Sequence, residues 1–181
     1  MQLFDVYPIQ PITPVKARGA YVWDEKGDQY LDLYGGHAVI SIGHCHPKWI
    51  ERIETQLNKI AFYSNSVRIP IQQELAEKLG QVSGKQDYRL FLCNSGAEAN
   101  ENALKLASFH TGRKLVVAFT GAFHGRTSLA VSATDQKAYI APVNQTDNVH
   151  FLPFNDINAL TDFFKKNGDQ ISSVIVEGIQ G

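Results

Sequence analysis

The chain has 181 residues, with 17 lysines and arginines against 18 aspartates and glutamates, a net charge of −1 and 44% hydrophobic residues. This is ordinary globular composition with enough apolar side chain for a sizeable core. The charge balance leaves no basic footprint for a nucleic-acid partner, and no apolar run reaches the roughly 20 residues that span a bilayer. The start, Met1-Gln2-Leu3-Phe4-Asp5-Val6, lacks the basic and apolar regions of a secretion signal. Cys45 and Cys93 lie far apart in different elements, so reduced thiols and a cytoplasmic location are expected.

In chain order, residues 1–14 carry Phe4, Tyr7, Pro8, Pro11 and Pro14, which predicts an extended arm. Residues 15–33 predict a small antiparallel meander, with strand patterns at 20–23 and 29–33 around the turn residues Asp24-Glu25-Lys26-Gly27-Asp28. Residues 34–46 form a glycine-rich loop (Gly35, Gly36, Gly43), read either as a connector or as backbone that approaches a ligand. His44-Cys45-His46 has metal-ligand residue types, but adjacent residues do not converge easily on one ion and no second pair follows at zinc spacing, so no metal is expected. Helices are predicted from Pro47, with the stripe Ile50, Ile53, Leu57 and Ile60, and from Pro70, with Ile71, Leu75, Leu79 and Val82 and a stop at Gly84. Both stripes read as packing faces.

Beyond Tyr88, continuous apolar runs at 89–93, 115–119, 149–152 and 173–176 predict strands buried on both faces. Helical patterns cover 95–111, 127–134 and 156–167. The first is expected to bury Ala99, Ala103 and Leu106, widened by Leu104 and Ala107; the last is expected to pack Ile157, Leu160, Phe163 and Phe164 and to stop at Gly168. Strands alternating with helices imply an α/β fold with a mainly parallel sheet. The expected division is 1–60 for the arm, meander and linking helix, and 61–181 for the first part of a larger α/β domain. Because the sequence stops at Val176-Glu177-Gly178-Ile179-Gln180-Gly181, directly after a strand pattern, a truncated domain is expected.

Ligands of open parallel sheets bind beyond the carboxyl ends of the strands, and three predicted strands end in distinctive residues. Ser95 with Glu98 three residues on is a capping box, and Gly96 and Ala97 leave the helix's first N–H groups bare, which suits an anion such as a phosphate. Thr120-Gly121-Ala122-Phe123-His124-Gly125-Arg126 holds an aromatic ring in a loop, where it can stack on a flat ligand. His124 reads as a structural hydrogen-bonder. Arg126 is either a solvated charge or a bidentate partner for a carboxylate, and Glu177 either a turn residue or a partner for an arginine of a substrate site. There is no Gly-x-Gly-x-x-Gly, no P-loop and no Gly-x-Ser-x-Gly elbow. One helix-start anion site plus one stacking ring suits a flat phosphate ester.

Along its whole length the sequence resembles the class III pyridoxal-phosphate aminotransferases, and within them the acetylornithine and succinylornithine aminotransferases. The resemblance is carried by Gly19-Ala20-Tyr21-Val22-Trp23-Asp24, Tyr30-Leu31-Asp32, Gly35-Gly36-His37-Ala38-Val39, Gly43-His44-Cys45-His46-Pro47 and Tyr63-Ser64-Asn65. It continues through Asn94-Ser95-Gly96-Ala97-Glu98-Ala99-Asn100-Glu101, Phe123-His124-Gly125-Arg126-Thr127 and the terminal Glu177-to-Gly181 block. It implies fold type I of the pyridoxal-phosphate-dependent transferases and a homodimer. It also implies transamination of N-acetylornithine with 2-oxoglutarate, in arginine biosynthesis. Ser95, Gly96 and Ala97 would hold the cofactor phosphate, Phe123 would stack on the pyridine ring, Arg126 would bind the substrate α-carboxylate, and Glu177 resembles a glutamate near the substrate arginine. No catalytic residue is expected within the chain, since the Schiff-base lysine and the aspartate at the pyridine nitrogen are expected beyond Gly181; 181 residues alone are expected to be inactive. Gly178 stands where the family usually has proline. Gly36 stands where ornithine aminotransferases tend to carry tyrosine, which leaves room for an acyl group. Succinylornithine, ornithine and 4-aminobutyrate remain alternative substrates.

Overall fold

A computed structural model describes residues 1–4 and 6–181 and divides the chain into two units, Met1–Ser83 and Gly84–Gly181, each with its own three-stranded sheet. Among the described residues no helix is long and apolar enough to cross a membrane.

In the first unit the predicted meander is present: β1 (Pro14–Arg18), β2 (Tyr21–Asp24) and β3 (Gln29–Leu31) pair antiparallel in that order. Its turn is organised by one carboxylate. Asp24 Oδ1 accepts the N–H groups of Lys26 and Asp28, each at 2.9 Å, and Oδ2 accepts the Tyr30 hydroxyl at 3.0 Å. Burial pushes the Asp24 carboxyl up, but the bonds from Asp28, Tyr30 and Lys26 outweigh it and hold it below the usual carboxylate range. Asp32 does the same work after β3. Its Oδ1 accepts from Tyr34 N–H at 3.0 Å and Gly35 N–H at 2.8 Å, and its Oδ2 lies 2.7 Å from His44 Nε2. The His44 bond, then the two backbone N–H groups, lower its pKa.

The glycine-rich loop is more ordered than a connector. Residues Gly35–Ala38 (α1) form a single left-handed turn, with φ of 58° to 60° throughout. Such a turn strains any residue with a Cβ by roughly 1–2 kcal/mol, so Gly35 and Gly36 take half of it without strain while His37 and Ala38 carry the cost. α2 (Pro47–Leu57) and α3 (Pro70–Ser83) start at the predicted prolines. Their apolar stripes are a different outcome. Neither helix has a buried residue, and Ile53 and Ile71 are each 39% exposed. Of the stripe residues only Ile50 is half-buried, and the rest are exposed.

In the second unit β4 (Leu115–Phe119) lies between β5 (Val149–Leu152) and β6 (Ile171–Val174), all parallel. Four of the five β4 residues are buried, so both faces of the strand are covered. Val117 and Phe119 join Leu152 and Ile171 in a core against which Leu160 and Phe163 of α6 (Ile157–Asn167) pack. Ile157 and Phe164, expected in that packing, are exposed. By period-two alternation Val116 and Ala118 face the other side. α4 (Gly96–Thr111) packs against β6 and against α5 (Ser128–Ser132), which is shorter than its predicted 127–134.

Two expectations are corrected. The run 89–93 is not a strand: it pairs with none of the described strands, and Leu90, Phe91 and Leu92 are 42–64% exposed. Apolar content makes a strand only where a neighbouring ladder takes its N–H and C=O groups. The buried face of α4 is also not Ala99, Ala103 and Leu106, which are exposed; Leu104 is buried, with Ala97, Asn100, Glu101, Ala107 and Ser108 half-buried. Polar side chains turn inward there because backbone groups of neighbouring segments need them. Removing core volume at β5 should be costly: Leu152→Ala is expected to lower unfolding free energy in urea by about 2–5 kcal/mol, and a loss under about 1 kcal/mol would show that this cluster is not the core.

Candidate functional site

α4 begins as the capping box predicts, with one shift. Ser95 is the extended N-cap residue, and its Oγ accepts from Glu98 N–H at 3.2 Å. The Glu98 carboxylate reaches back past the cap to Asn94 N–H at 3.0 Å and takes the Ser95 hydroxyl at 2.9 Å. Ser95 O accepts from Ala99 N–H. The N–H groups of Gly96 and Ala97 have no acceptor among the described residues, and the space where Gly96 would carry a Cβ is open. Two bare N–H donors at the positive end of a 16-residue helix are what a phosphate group needs. The Ser95 hydroxyl is turned toward Glu98, so reaching an anion would require it to rotate.

The loop after β4 is held against this helix start. A Cβ at Gly125 would lie 2.9 Å from that of Ala97 and 3.1 Å from that of Ala130, and φ there is +143°, so only glycine permits the approach. Asn100 Nδ2 donates to His124 O at 2.7 Å, from the second turn of α4. Glu101 Oε1 accepts Ala130 N–H at 2.8 Å, serving a donor of α5 that its own helix leaves free. The rest of the loop is pinned in the same way. Gly121 N–H donates to Asp135 Oδ2 at 2.8 Å, His124 N–H to Thr134 Oγ1 at 2.9 Å, and Gln180 Nε2 to Thr120 O at 2.9 Å.

Phe123 leaves its ring half exposed, edge-on to Tyr139 at 6.5 Å between centroids. The Arg126 guanidinium lies over both rings, 5.7 Å from that of Phe123 and 5.6 Å from that of Tyr139, within cation–π range. Its ordering by two aromatic faces distinguishes it from a freely solvated charge. His124 is buried and its Nε2 has no hydrogen-bond partner among the described residues. Burial holds its pKa below the usual imidazole value, against the opposing pull of Glu177. Glu177 Oε1 accepts the Phe123 N–H at 2.6 Å and stands 4.0 Å from His124 Nδ1.

Ser95, Gly96, Ala97 and the segment carrying Phe123 and Arg126 are thus brought together through Gly125, and Glu177 is brought to Phe123. Sequence reasoning missed the residues that do the holding: Asn100, Glu101, Thr134, Asp135 and Gln180. Asn100 and Glu101 left a trace, as polar residues interrupting a helix of small apolar ones; the other three left none. Among the described residues no three His, Cys, Asp or Glu side chains cluster as a metal site.

The sequence matches the family described as aminotransferase class-III over residues 5–181. The chain belongs to the class-III aminotransferases. Curated relatives include the acetylornithine aminotransferases of Halalkalibacterium halodurans and Archaeoglobus fulgidus, each 42% identical over 99% of this chain, which covers 46% and 47% of their lengths. This class-III chain therefore spans less than half the length of these relatives. Among solved structures, an ornithine aminotransferase of Toxoplasma gondii matches with a TM-score of 0.87 and 27% identity, over 97% of this chain and 42% of that one. A taurine:2-oxoglutarate aminotransferase of Bifidobacterium kashiwanohense, solved in complex with PLP and glutamate, matches with a TM-score of 0.87 over 100% of this chain and 46% of that one; at 23% identity it shows the fold alone. The α/β fold with a parallel sheet is part of the aminotransferase fold, as the resemblance implied.

Two measurements probe the site's construction. Gly125→Ala is expected to cost about 1–3 kcal/mol through overpacking and backbone strain, and Ala97→Gly in the same chain should recover part of it; strict additivity in a double-mutant cycle would disprove the contact. Because the folded-state pKa of His124 is depressed, its contribution to stability is full above the unfolded value of about 6.5 and declines as pH falls through the folded one. Wild-type unfolding free energy should therefore drop between pH 7.5 and 5.5 by more than that of His124→Gln, and equal drops would place the imidazole in solvent.

Proposed function

We propose that the protein carrying this chain uses pyridoxal phosphate to move an amino group between N-acetylornithine and 2-oxoglutarate, in arginine biosynthesis. The observation that carries this reading is the helix start of α4, with two bare N–H groups, locked by Gly125 to a loop that presents a half-exposed aromatic ring. The residues fit the cofactor. Gly96 and Ala97 would hold its phosphate through backbone N–H groups, joined by Ser95, while Phe123 would lie against the pyridine ring. Bound pyridoxal phosphate supplies the electron sink for the bond-breaking step. Arg126, already ordered over the two rings, would take the substrate α-carboxylate as a bidentate pair. The site so formed would lie beyond the carboxyl ends of β4 and β6, which the segments carrying Phe123 and Glu177 follow, the usual place for a ligand in an open parallel sheet.

The names of the acetylornithine aminotransferase relatives support the acylated substrate. So does glycine at position 36, where ornithine aminotransferases tend to carry a tyrosine, since it would leave room for an acyl group. The same reading includes a lysine and an aspartate beyond Gly181 that complete the site, self-association as a homodimer, a cytoplasmic location, and the division at residues 60 and 61 into an N-terminal segment and a cofactor domain. A second reading, free ornithine as substrate, is supported by the likeness to the Toxoplasma gondii enzyme.

The full-length enzyme is expected to turn over N-acetylornithine with a kcat/KM well above that for ornithine; turnover of ornithine with no activity on its acyl forms would replace this proposal by the second. Phe123→Ala is expected to weaken pyridoxal phosphate binding about tenfold, the scale of a lost aromatic stack, measured by absorbance titration of the cofactor-free protein.

A further inference from the structure

We propose that Glu177 is a positioning residue for Phe123: its carboxylate fixes the backbone that aims the ring, and does not serve as a partner for groups of the substrate site. This inference rests on the role given to Phe123 above. The first ground is the Phe123 N–H, whose bond to Glu177 Oε1 at 2.6 Å is the short, charge-assisted kind. An ionised carboxylate only accepts, so this oxygen suits a row of donors. The second ground is that the same oxygen stands 4.0 Å from Nδ1 of His124, whose side chain is only 4% exposed. One carboxylate oxygen thus faces two consecutive residues of the loop, the exposed ring's backbone and the buried imidazole behind it. A cationic group arriving from the substrate side would compete with both.

The third ground is the neighbourhood of Glu177. Three residues on, Gln180 Nε2 donates to Thr120 O at 2.9 Å, and its Oε1 lies 3.0 Å from where Gly121 would carry a Cβ. The segment after β6 therefore grips the loop after β4 at two points, Thr120 and Phe123, as a clasp. Asn100, Thr134 and Asp135 hold Gly121 and His124 from elsewhere. No other acceptor takes the Phe123 N–H among the described residues, and glycines with positive φ stand on either side of it at 121 and 125. Removing the carboxylate frees the one residue whose direction matters most.

The test uses full-length protein and the variants Glu177→Ala and Glu177→Gln. In the cofactor-free state, hydrogen exchange of the peptide covering 120–126 is read by mass spectrometry, and pyridoxal phosphate is titrated without substrate. Glu177→Ala is expected to speed exchange in that peptide at least tenfold and to raise the dissociation constant of pyridoxal phosphate about tenfold. Glu177→Gln, which keeps the shape and one acceptor oxygen, should recover most of both. At saturating cofactor the KM for N-acetylornithine should change less than twofold in Glu177→Gln. Unchanged exchange and cofactor affinity in Glu177→Ala would overturn the proposal, as would a raised KM with both intact, which is the mark of a substrate-side role. Should Glu177→Ala not fold, Glu177→Met, which keeps the volume but has no oxygen to accept the Phe123 N–H, decides in its place: exchange at least tenfold faster supports the clasp and wild-type exchange overturns it. Failure of the wild-type protein to bind pyridoxal phosphate would sink the cofactor reading, while the exchange data would still decide whether Glu177 holds the loop.

Discussion

A side chain at position 125 would put its Cβ 2.9 Å from that of Ala97, closer than two carbon atoms pack, so the loop after β4 can lie on the first turn of α4 only as glycine. Everything proposed for the site depends on that approach. It sets the ring of Phe123 on the same loop as the residue touching the bare helix start. It also brings Asn100 within reach of His124 O. The smallness of Ala97 is the other half of the contact, and it serves twice, since a small residue there also leaves the helix N–H groups open to a ligand.

The loop between β4 and α5 has no regular ladder, so its polar backbone groups must be satisfied by side chains. Asn100, Thr134, Asp135, Glu177 and Gln180 do this, from three different parts of the chain. A loop fixed in this way resembles a template more than a hinge, and an aromatic ring on it is presented at little further cost in entropy. The carboxylates near the site have the same task. Glu98, Glu101, Asp135 and Glu177 each accept backbone N–H groups, which leaves the two N–H groups of Gly96 and Ala97 as the bare donors at the helix start.

The first unit follows the same rule with Asp24 and Asp32. Each gathers backbone donors of a turn and then one side chain, Tyr30 or His44, so two carboxylates order the hairpin and the left-handed turn after it. What the unit lacks is cover for the apolar stripes of α2 and α3, which remain exposed in a chain spanning less than half the length of its curated relatives.

The local features are legible in the sequence because their causes are local. The meander follows from alternation and a turn rich in Asp and Gly, α2 and α3 from prolines at their first positions, α4 from a serine cap with its glutamate, and β4 from a run too apolar to face water. The bare helix start and the aromatic loop stand out in the order of residues alone, since each is a matter of a few adjacent side chains. Tertiary structure alone decided the rest. Which face of α4 turns inward is set by backbone groups 24 and 29 residues away that need Asn100 and Glu101, whereas composition centres the face on Ala99, Ala103 and Leu106, with Leu104 and Ala107 only at its edge. Whether 89–93 forms a strand is set by the absence of a pairing edge beside it among the described residues. And the role of Glu177 is set by its meeting with Phe123, 54 residues earlier in the chain: a hydrogen bond between distant segments leaves no periodicity or spacing for the sequence to display.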